Sequence, residues 1–416
     1  MAVLGIVAEY NPFHNGHLYL IEKARQKENF AAVVVVMSGS FLQRGEPAFC
    51  DKWSRAEMAL SCGADLLIEL PFCFSARSAY YFARGALQLL HRTGMVTHLA
   101  FGAENTNLSL LKSIVGILSS EPVEYKAILK RHLASGLSFP LSRSLALQEY
   151  ASQSRSEWQQ IMLGPNNILA IEYLRVITEE KLPFIPLLIN RRGSSYHGTE
   201  LSKYASATAI RQALLENVHS NEIASAMPAS CLQILQREMA RGRSPVQTSS
   251  LEQAILYKLR TTSIEALSQI YEISEGLEYR IKAAANACGS LEELRQTIKS
   301  KRYSLSRINR TLLYSLFDLS KNQVNLFDNE GPLYLHLLGF SAKAQKILQE
   351  MKNKSQVKIF NRGSDIKRCY DQSCGTVLGD MIAADVLATD VYSLLFPSPA
   401  ARTGGRDFTT SPIMVE

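Results

Sequence analysis

No apolar run in this 416-residue chain approaches the ~20 residues needed to cross a bilayer. No basic segment precedes the apolar run at residues 3–8, so that run reads as a strand and not as a secretory signal. The seven cysteines (Cys50, Cys62, Cys73, Cys231, Cys288, Cys369 and Cys374) are scattered, odd in number and without a C-x-x-C pair. That excludes the usual zinc and disulfide frameworks, and reduced thiols in a cytoplasm are expected. Long linkers, internal repeats and clusters with metal-ligand spacing are also missing, so no bound metal is expected beyond what a substrate brings.

What is present is an ordinary globular composition, 46% hydrophobic and 20% charged. The net charge of +7 suits either a basic enzyme or the owner of a polyanionic partner, and does not choose between them. The length exceeds one ordinary core and predicts two domains.

Strand-like runs at residues 3–8, 32–37, 64–70, 98–102 and 184–189 alternate with helical spacing at 54–62, 76–90 and 166–177. Several of the runs are continuously apolar, as in strands covered on both faces. The alternation predicts an α/β fold, a Rossmann-like doubly wound parallel sheet. After about residue 210 the β-branched runs fade, and helical spacing dominates at 211–215, 251–259, 264–273, 277–287 and 291–300. The division expected is a catalytic domain over residues 1–212 and a mainly α-helical domain over 213–416, with a small mixed segment between about 333 and 392.

The densest chemical signal is His14-Asn15-Gly16-His17, placed between the first strand and the helical spacing of Leu18, Leu20, Ile21 and Ala24. A helix N-terminus offers unpaired backbone N–H groups and a positive dipole end, which suits phosphate. Glycine permits close approach of a bulky ligand. The imidazoles can donate to phosphate oxygens and stabilise charge on a departing pyrophosphate. The plainer alternative is a capped helix with two surface histidines; the strand–turn–helix setting favours nucleotidyl transfer without a protein nucleophile. Ligands in such sheets bind beyond the carboxyl ends of the strands, where this motif falls.

A second piece, Ser206-Ala207-Thr208-Ala209-Ile210-Arg211, opens a helix with capping residues and an arginine fork suited to phosphate. Together the two resemble the H-x-G-H nucleotidyltransferase superfamily. The longer string over residues 5–17, with Gln43-Arg44-Gly45-Glu46-Pro47 and Asp51-Lys52-Trp53, resembles the tRNA(Met) cytidine acetate ligase family. The likeness runs over most of the chain. It is strongest in the first 75 residues, around 163–211, and at Lys301-Arg302-Tyr303.

That resemblance implies a reaction in which ATP and acetate give acetyl-adenylate, whose acetyl group passes to N4 of the wobble cytidine of elongator tRNA(Met). It implies His14 and His17 as catalytic groups, Mg²⁺ accompanying ATP, and cytoplasmic location. The ATP site it implies comprises Val7, Ala8, Glu9, Tyr10, Asn11, Pro12, Phe13, His14, Asn15, Gly16, His17, Leu18, Tyr19 and Leu20. To these it adds Gly102, one of Asn166 and Asn167, Arg191 from the stretch Asn190-Arg191-Arg192-Gly193-Ser194-Ser195-Tyr196-His197, and Ser206, Thr208 and Arg211. Gln43, Arg44, Asp51 and Lys52 are implied to line the pocket where acetate and cytosine meet. Lys301, Arg302, Tyr303 and Arg307 form a basic stretch around an aromatic, either a solvated face or an RNA contact, and the resemblance favours tRNA. Two further classes stay open: a mononucleotide adenylyltransferase of cofactor synthesis, which leaves about 200 residues unexplained, and a catalytically silent RNA-binding protein, which intact phosphate motifs disfavour.

Overall fold

β1 (Val3–Ala8), β2 (Ala32–Ser38) and β3 (Leu66–Leu70) are built from aliphatic runs that are buried along nearly their whole length, and they pair in parallel. Leu4 faces Val33 across β1 and β2, and Val36 faces Ile68 across β2 and β3. β4 (His98–Ala103) and β5 (Ile185–Asn190) continue the parallel sheet on the other side of β1. This computed structural model describes residues 1–151, 158, 161–162, 164–192, 201–216 and 220–416.

The sheet order is β5-β4-β1-β2-β3-β6-β7, with β8 pairing β6. From β1 the chain runs outward through β2 and β3, then returns to the other flank at β4. The reversal puts a crevice at the carboxyl ends of β1 and β4, the place where open α/β sheets take ligands.

The five strands of the first half form the expected parallel sheet, and the second half adds three more strands to its edge. β6 (Tyr334–Ser341) joins β3 antiparallel, and β7 (Lys358–Phe360) and β8 (Ile413–Val415) pair with β6 in parallel. The fold is therefore a mixed, mostly parallel sheet flanked by helices. The division at residue 212/213 is not a division of the sheet, because the second half returns three strands to it. One apolar core runs from Val3 through Leu259 and Leu313 to Phe396.

Between those strands the second half is helical, as its spacing predicts. Helices span Ala229–Ala240, Glu252–Thr261, Leu277–Ala287, Leu291–Ile298, Leu305–Leu316 and Lys321–Glu330. The expected helix at 264–273 stops at Gln269, and Ile270 instead pairs with Ser320. Arg77, fully buried, ties this layer to the sheet through Asp328 (3.2 and 2.9 Å) and the Tyr271 hydroxyl (3.2 Å). No described helix is long and apolar enough to cross a membrane.

Candidate active site

The turn after β1 is shaped by its own side chains. Tyr10 takes φ +47°, a left-handed backbone unusual for a residue with a Cβ. Burial of its ring against Phe13 and His17, each 4.8 Å away between centroids, holds it there. Helix α1 (Asn15–Lys27) then begins with His14 as its N-cap. His14 Nδ1 accepts the Gly16 N–H at 3.0 Å, and His17 Nδ1 accepts the His14 N–H at 3.2 Å, a reciprocal capping box.

With Nδ1 accepting, the proton of a neutral imidazole sits on Nε2 in both rings. Both rings are neutral. Burial, helped by Arg191 and Arg211, brings His14 down to about 3, and burial beside His14 and Arg191 holds His17 well below its ordinary value. The pair therefore presents two Nε2–H donors. Gly16 is required by the rings themselves: a Cβ there would stand 2.8 Å from His14 Cε1.

These donors open on a cavity of 1070 Å³. It is lined by Val7, Ala8, Glu9, Tyr10, Asn11, His14, Gly16, His17, Tyr19 and Leu20 from the first turn and α1, and by Gln43 and Arg44. Gly102, Asn166, Arg191, Ser206, Thr208 and Arg211 complete one side, and Arg302 and Arg307 stand at the other. Residues separated by up to 300 positions thus share one space.

Arg211 is aimed by two contacts, Nη1 to the Asn11 carbonyl (2.8 Å) and Nη2 to Thr208 Oγ1 (3.3 Å). Its helix, Ala207–Leu215, is capped by Ser206, whose Oγ accepts the Ala209 N–H. Arg191 hydrogen-bonds Asn166 Oδ1 across the cavity wall. Between the two asparagines left open above, Asn166 faces the cavity. Asn167 is 2% exposed, and its Oδ1 accepts the Asn105 N–H (2.9 Å). Gly193-Ser194-Ser195-Tyr196-His197 lies outside the described residues.

Several expected site residues do not line the cavity. Phe13 is wholly buried and Pro12 is buried beside it, while Leu18 packs on the apolar core. Asn15 Nδ2 donates to the carbonyls of Lys203 (3.0 Å) and Ser225 (2.8 Å), tethering the turn to later segments. Asp51 and Lys52 are corrected outright. Asp51 caps helix α2 (Lys52–Ser61) and pairs with Arg406 at 2.8 Å. Lys52, 1% exposed, is clamped by Glu69 (2.7 Å) and Asp407 (2.6 Å), and His336 Nδ1 meets the same Glu69 oxygen, Oε2, at 2.6 Å. A buried cation needs such partners, and these contacts place Asp51 and Lys52 in the interior, away from the cavity wall. Among the described residues, Glu69, His336 and Asp407 form the one grouping with metal-ligand proximity, and the Lys52 ammonium already sits among its carboxylates.

Tyr303 is also corrected as a stacking platform. It is 7% exposed and its ring lies beneath the Arg307 guanidinium, 4.9 Å from it. Lys301 is exposed and off the cavity wall. Arg310, which belongs to the same basic stretch in the sequence, also lines the cavity. Other lining residues carried no recognisable linear signal: Tyr80 and Tyr81 from one helix, Arg143 and Arg175 from two more, and Glu272 from a loop. Arg55, wholly buried, braces the floor by donating to the carbonyls of Glu9 (2.7 Å), Ser38 (3.0 Å) and Cys50 (3.0 Å).

A mostly parallel sheet whose first strand delivers paired imidazole donors and a helix N-terminus to the switch point defines a nucleotidyltransferase-type site. A profile described as HIGH Nucleotidyl Transferase matches residues 1–407. The tRNA(Met) cytidine acetate ligase of Syntrophomonas wolfei is 65% identical over 413 residues, covering 99% of each chain, and that of Halothermothrix orenii is 41% identical over 98% of each. Crystal structures of Thermotoga maritima TmcAL, apo and bound with alpha-thio ATP, superpose with TM-scores of 0.94 and 0.92 at 36% identity over the whole of both chains. The chain belongs to the tRNA(Met) cytidine acetate ligase family of HIGH nucleotidyl transferases.

Proposed function

We propose that this protein is an ATP-dependent ligase that acetylates N4 of the wobble cytidine of elongator tRNA(Met) through an acetyl-adenylate. In the first step an acetate oxygen attacks the α-phosphorus of ATP and pyrophosphate leaves. In the second, the cytidine N4 amine attacks the acetyl carbon and AMP leaves, giving N4-acetylcytidine. The observation that carries this reading is the continuity of the cavity. It joins His14, His17, Arg191 and Arg211 to Arg302 and Arg307, so a nucleotide and an RNA can meet in one space.

The two Nε2–H donors and the guanidinium forks of Arg191 and Arg211 would bear the charge that develops on pyrophosphate. Because the protein supplies no nucleophile, catalysis consists of placing acetate in line and neutralising the leaving group. Mg²⁺ fits as an ion carried by the triphosphate, since the metal-like cluster of the described residues is closed by Lys52. Arg302 and Arg307 would hold the tRNA backbone. Cytoplasmic location follows from a tRNA substrate.

A mononucleotide adenylyltransferase leaves the arginine-lined far side of the cavity without a task, and a silent RNA-binding protein leaves the intact phosphate groups without one. The deciding experiment supplies purified protein with ATP, labelled acetate and tRNA, and in parallel measures tRNA nucleosides by mass spectrometry in cells lacking the protein. Label in N4-acetylcytidine, and loss of that nucleoside from the cells, are the expected results; unchanged nucleoside levels overturn the reading.

A further inference from the structure

We propose that Glu9 receives the cytidine amine: its carboxylate accepts an N4–H of the incoming base and takes the proton released as the amide bond forms. This rests on the function proposed above and names the group that serves its second step.

Glu9 follows the last residue of β1 and lines the cavity beside His14 and His17. It is fixed at both ends. Arg55 Nη1 donates to its carbonyl (2.7 Å), and its Oε1 accepts the Gln43 N–H (2.8 Å). The Gln43 side chain is anchored in turn on the Arg77 carbonyl (2.9 Å). Two residues further on in that loop, Gly45 packs against the backbone of Asn309 and Arg310, and Glu46 Oε1 takes Asn309 Nδ2 at 3.4 Å. Glu9 thus stands where the nucleotide turn meets the loop that leads to the Leu305–Leu316 helix and its arginines.

Four glutamates line the cavity. Glu172 is in an ion pair with Arg143, and Glu272 pairs with Arg310 (3.4 Å). Glu46 takes the Asn309 amide. Among the described residues, no Lys or Arg lies within ion-pair distance of Glu9. Burial raises its carboxyl above the ordinary range, opposed by the Gln43 N–H and by the charges of Arg44, Arg211 and Arg55. Tyr173, on the helix Pro165–Glu179, also faces it, and its hydroxyl is pushed up by burial and by Glu9. A bound triphosphate would take the charge of Arg211 and weaken one of the three pulls that keep Glu9 acidic.

The chemistry suits only the second step. Acetate reacts as an anion with no proton to lose, whereas N4 must shed one. The N4 electron pair forms the bond to the acetyl carbon, and the bond from that carbon to the AMP oxygen breaks. AMP keeps that electron pair, and one N4 hydrogen passes to Glu9 and then to water. A carboxylate acceptor also favours cytosine, whose N4 is a donor, over uracil, whose O4 is an acceptor.

Glu9→Gln retains an oxygen for the Gln43 N–H but cannot take a proton; Glu9→Asp keeps the carboxylate. Adenylation is read by acetate-dependent ATP–pyrophosphate exchange. Transfer is read by single turnover of enzyme-held labelled acetyl-adenylate onto tRNA, from mildly acid to mildly alkaline pH. In Glu9→Gln the ratio of transfer to adenylation should fall by about 10² or more, with loss of the acid limb of the transfer profile. Glu9→Asp should restore the limb at a reduced rate. The proposal is overturned if Glu9→Gln transfers with the wild-type rate and pH profile, which would leave the proton to AMP. It is equally overturned if both half-reactions fall in proportion, as a purely structural role requires. Failure of the parent reading is distinct: wild-type protein would then show no acetate-dependent exchange at all.

Discussion

His14 and His17 stack ring on ring, with centroids 3.8 Å and planes 29° apart, and each turns its Nδ1 to a backbone N–H. One arrangement therefore caps the helix and turns both rings to the cavity with Nε2–H free to donate. Capping and the catalysis proposed for the motif are not rival readings, because they would use different nitrogens of the same rings.

Replacing His17 by Ala removes one Nε2–H donor and leaves the His14 cap. Adenylation should fall on the order of 10²–10³-fold, as for loss of one preorganised donor to developing charge. Circular dichroism should show the fold retained. Normal exchange rates in this variant would reduce the motif to a cap.

The depressed imidazoles make stability depend on pH. His14 titrates at about 3 in the folded protein, against 6.5 ordinarily. As pH falls below 6.5 the unfolded chain gains a proton that the folded one refuses, so stability is lost on going from neutral pH towards 3. The limiting slope is about 1.4 kcal/mol per pH unit for each such histidine. His14→Asn keeps a capping oxygen and removes one titration. Urea unfolding at neutral and mildly acidic pH should show a shallower decline for the variant than for the wild type.

Lys52 is assigned to stability and not to substrate. Lys52→Met strands the carboxylates of Glu69 and Asp407 in the interior, at an expected cost of about 3–5 kcal/mol. Thermal unfolding should shift sharply down, while the KM for acetate of the folded fraction is unchanged. A raised KM with normal stability would return Lys52 to the substrate pocket.

Gly102 separates space from strain. A Cβ there would sit 3.5 Å from Leu20 Cδ1, an ordinary contact, so Gly102→Ala should fold normally. If the nucleotide covers this backbone, ATP binding should weaken by about tenfold, or about 1.4 kcal/mol. Calorimetric titration with ATP checks it, and undiminished affinity would move the nucleotide off β4.

Arg211 and the Arg302–Arg307 pair lie on the same cavity but are given different partners. Arg211→Ala should weaken ATP use while tRNA still binds. Replacing Arg302 and Arg307 with Ala should spare ATP affinity, weaken tRNA binding, and make its salt dependence shallower by about one unit of slope per lost phosphate contact. Lys301→Ala should change little. Titrations at several salt concentrations separate these cases; an unchanged slope in the double variant would place the RNA elsewhere.

Local order determined much of this protein. The strand at residues 3–8, the turn, the capped helix and the Ser206–Arg211 segment were legible because each depends on neighbours within a few residues: apolar runs, caps and spacing. So was the placement of the motif at a strand's carboxyl end. Asp51 and Lys52 misled because a charged pair after a loop looks the same whether it meets solvent, substrate or buried counter-charges. Their partners, Glu69, Asp407 and Arg406, are distant in sequence, and only packing brings them together.

Tyr303 shows the same limit from the other side. Basic neighbours suggested a stacking surface, but the fold spends that ring in the core. The return of β6 to pair antiparallel with β3, the placing of Asn166 rather than Asn167 on the cavity wall, the burial that keeps both histidines neutral and the position of Glu9 against Gln43 were decided by tertiary structure alone. Each depends on which distant groups share a desolvated space, because there a hydrogen bond or charge must be matched, and linear order does not say by what.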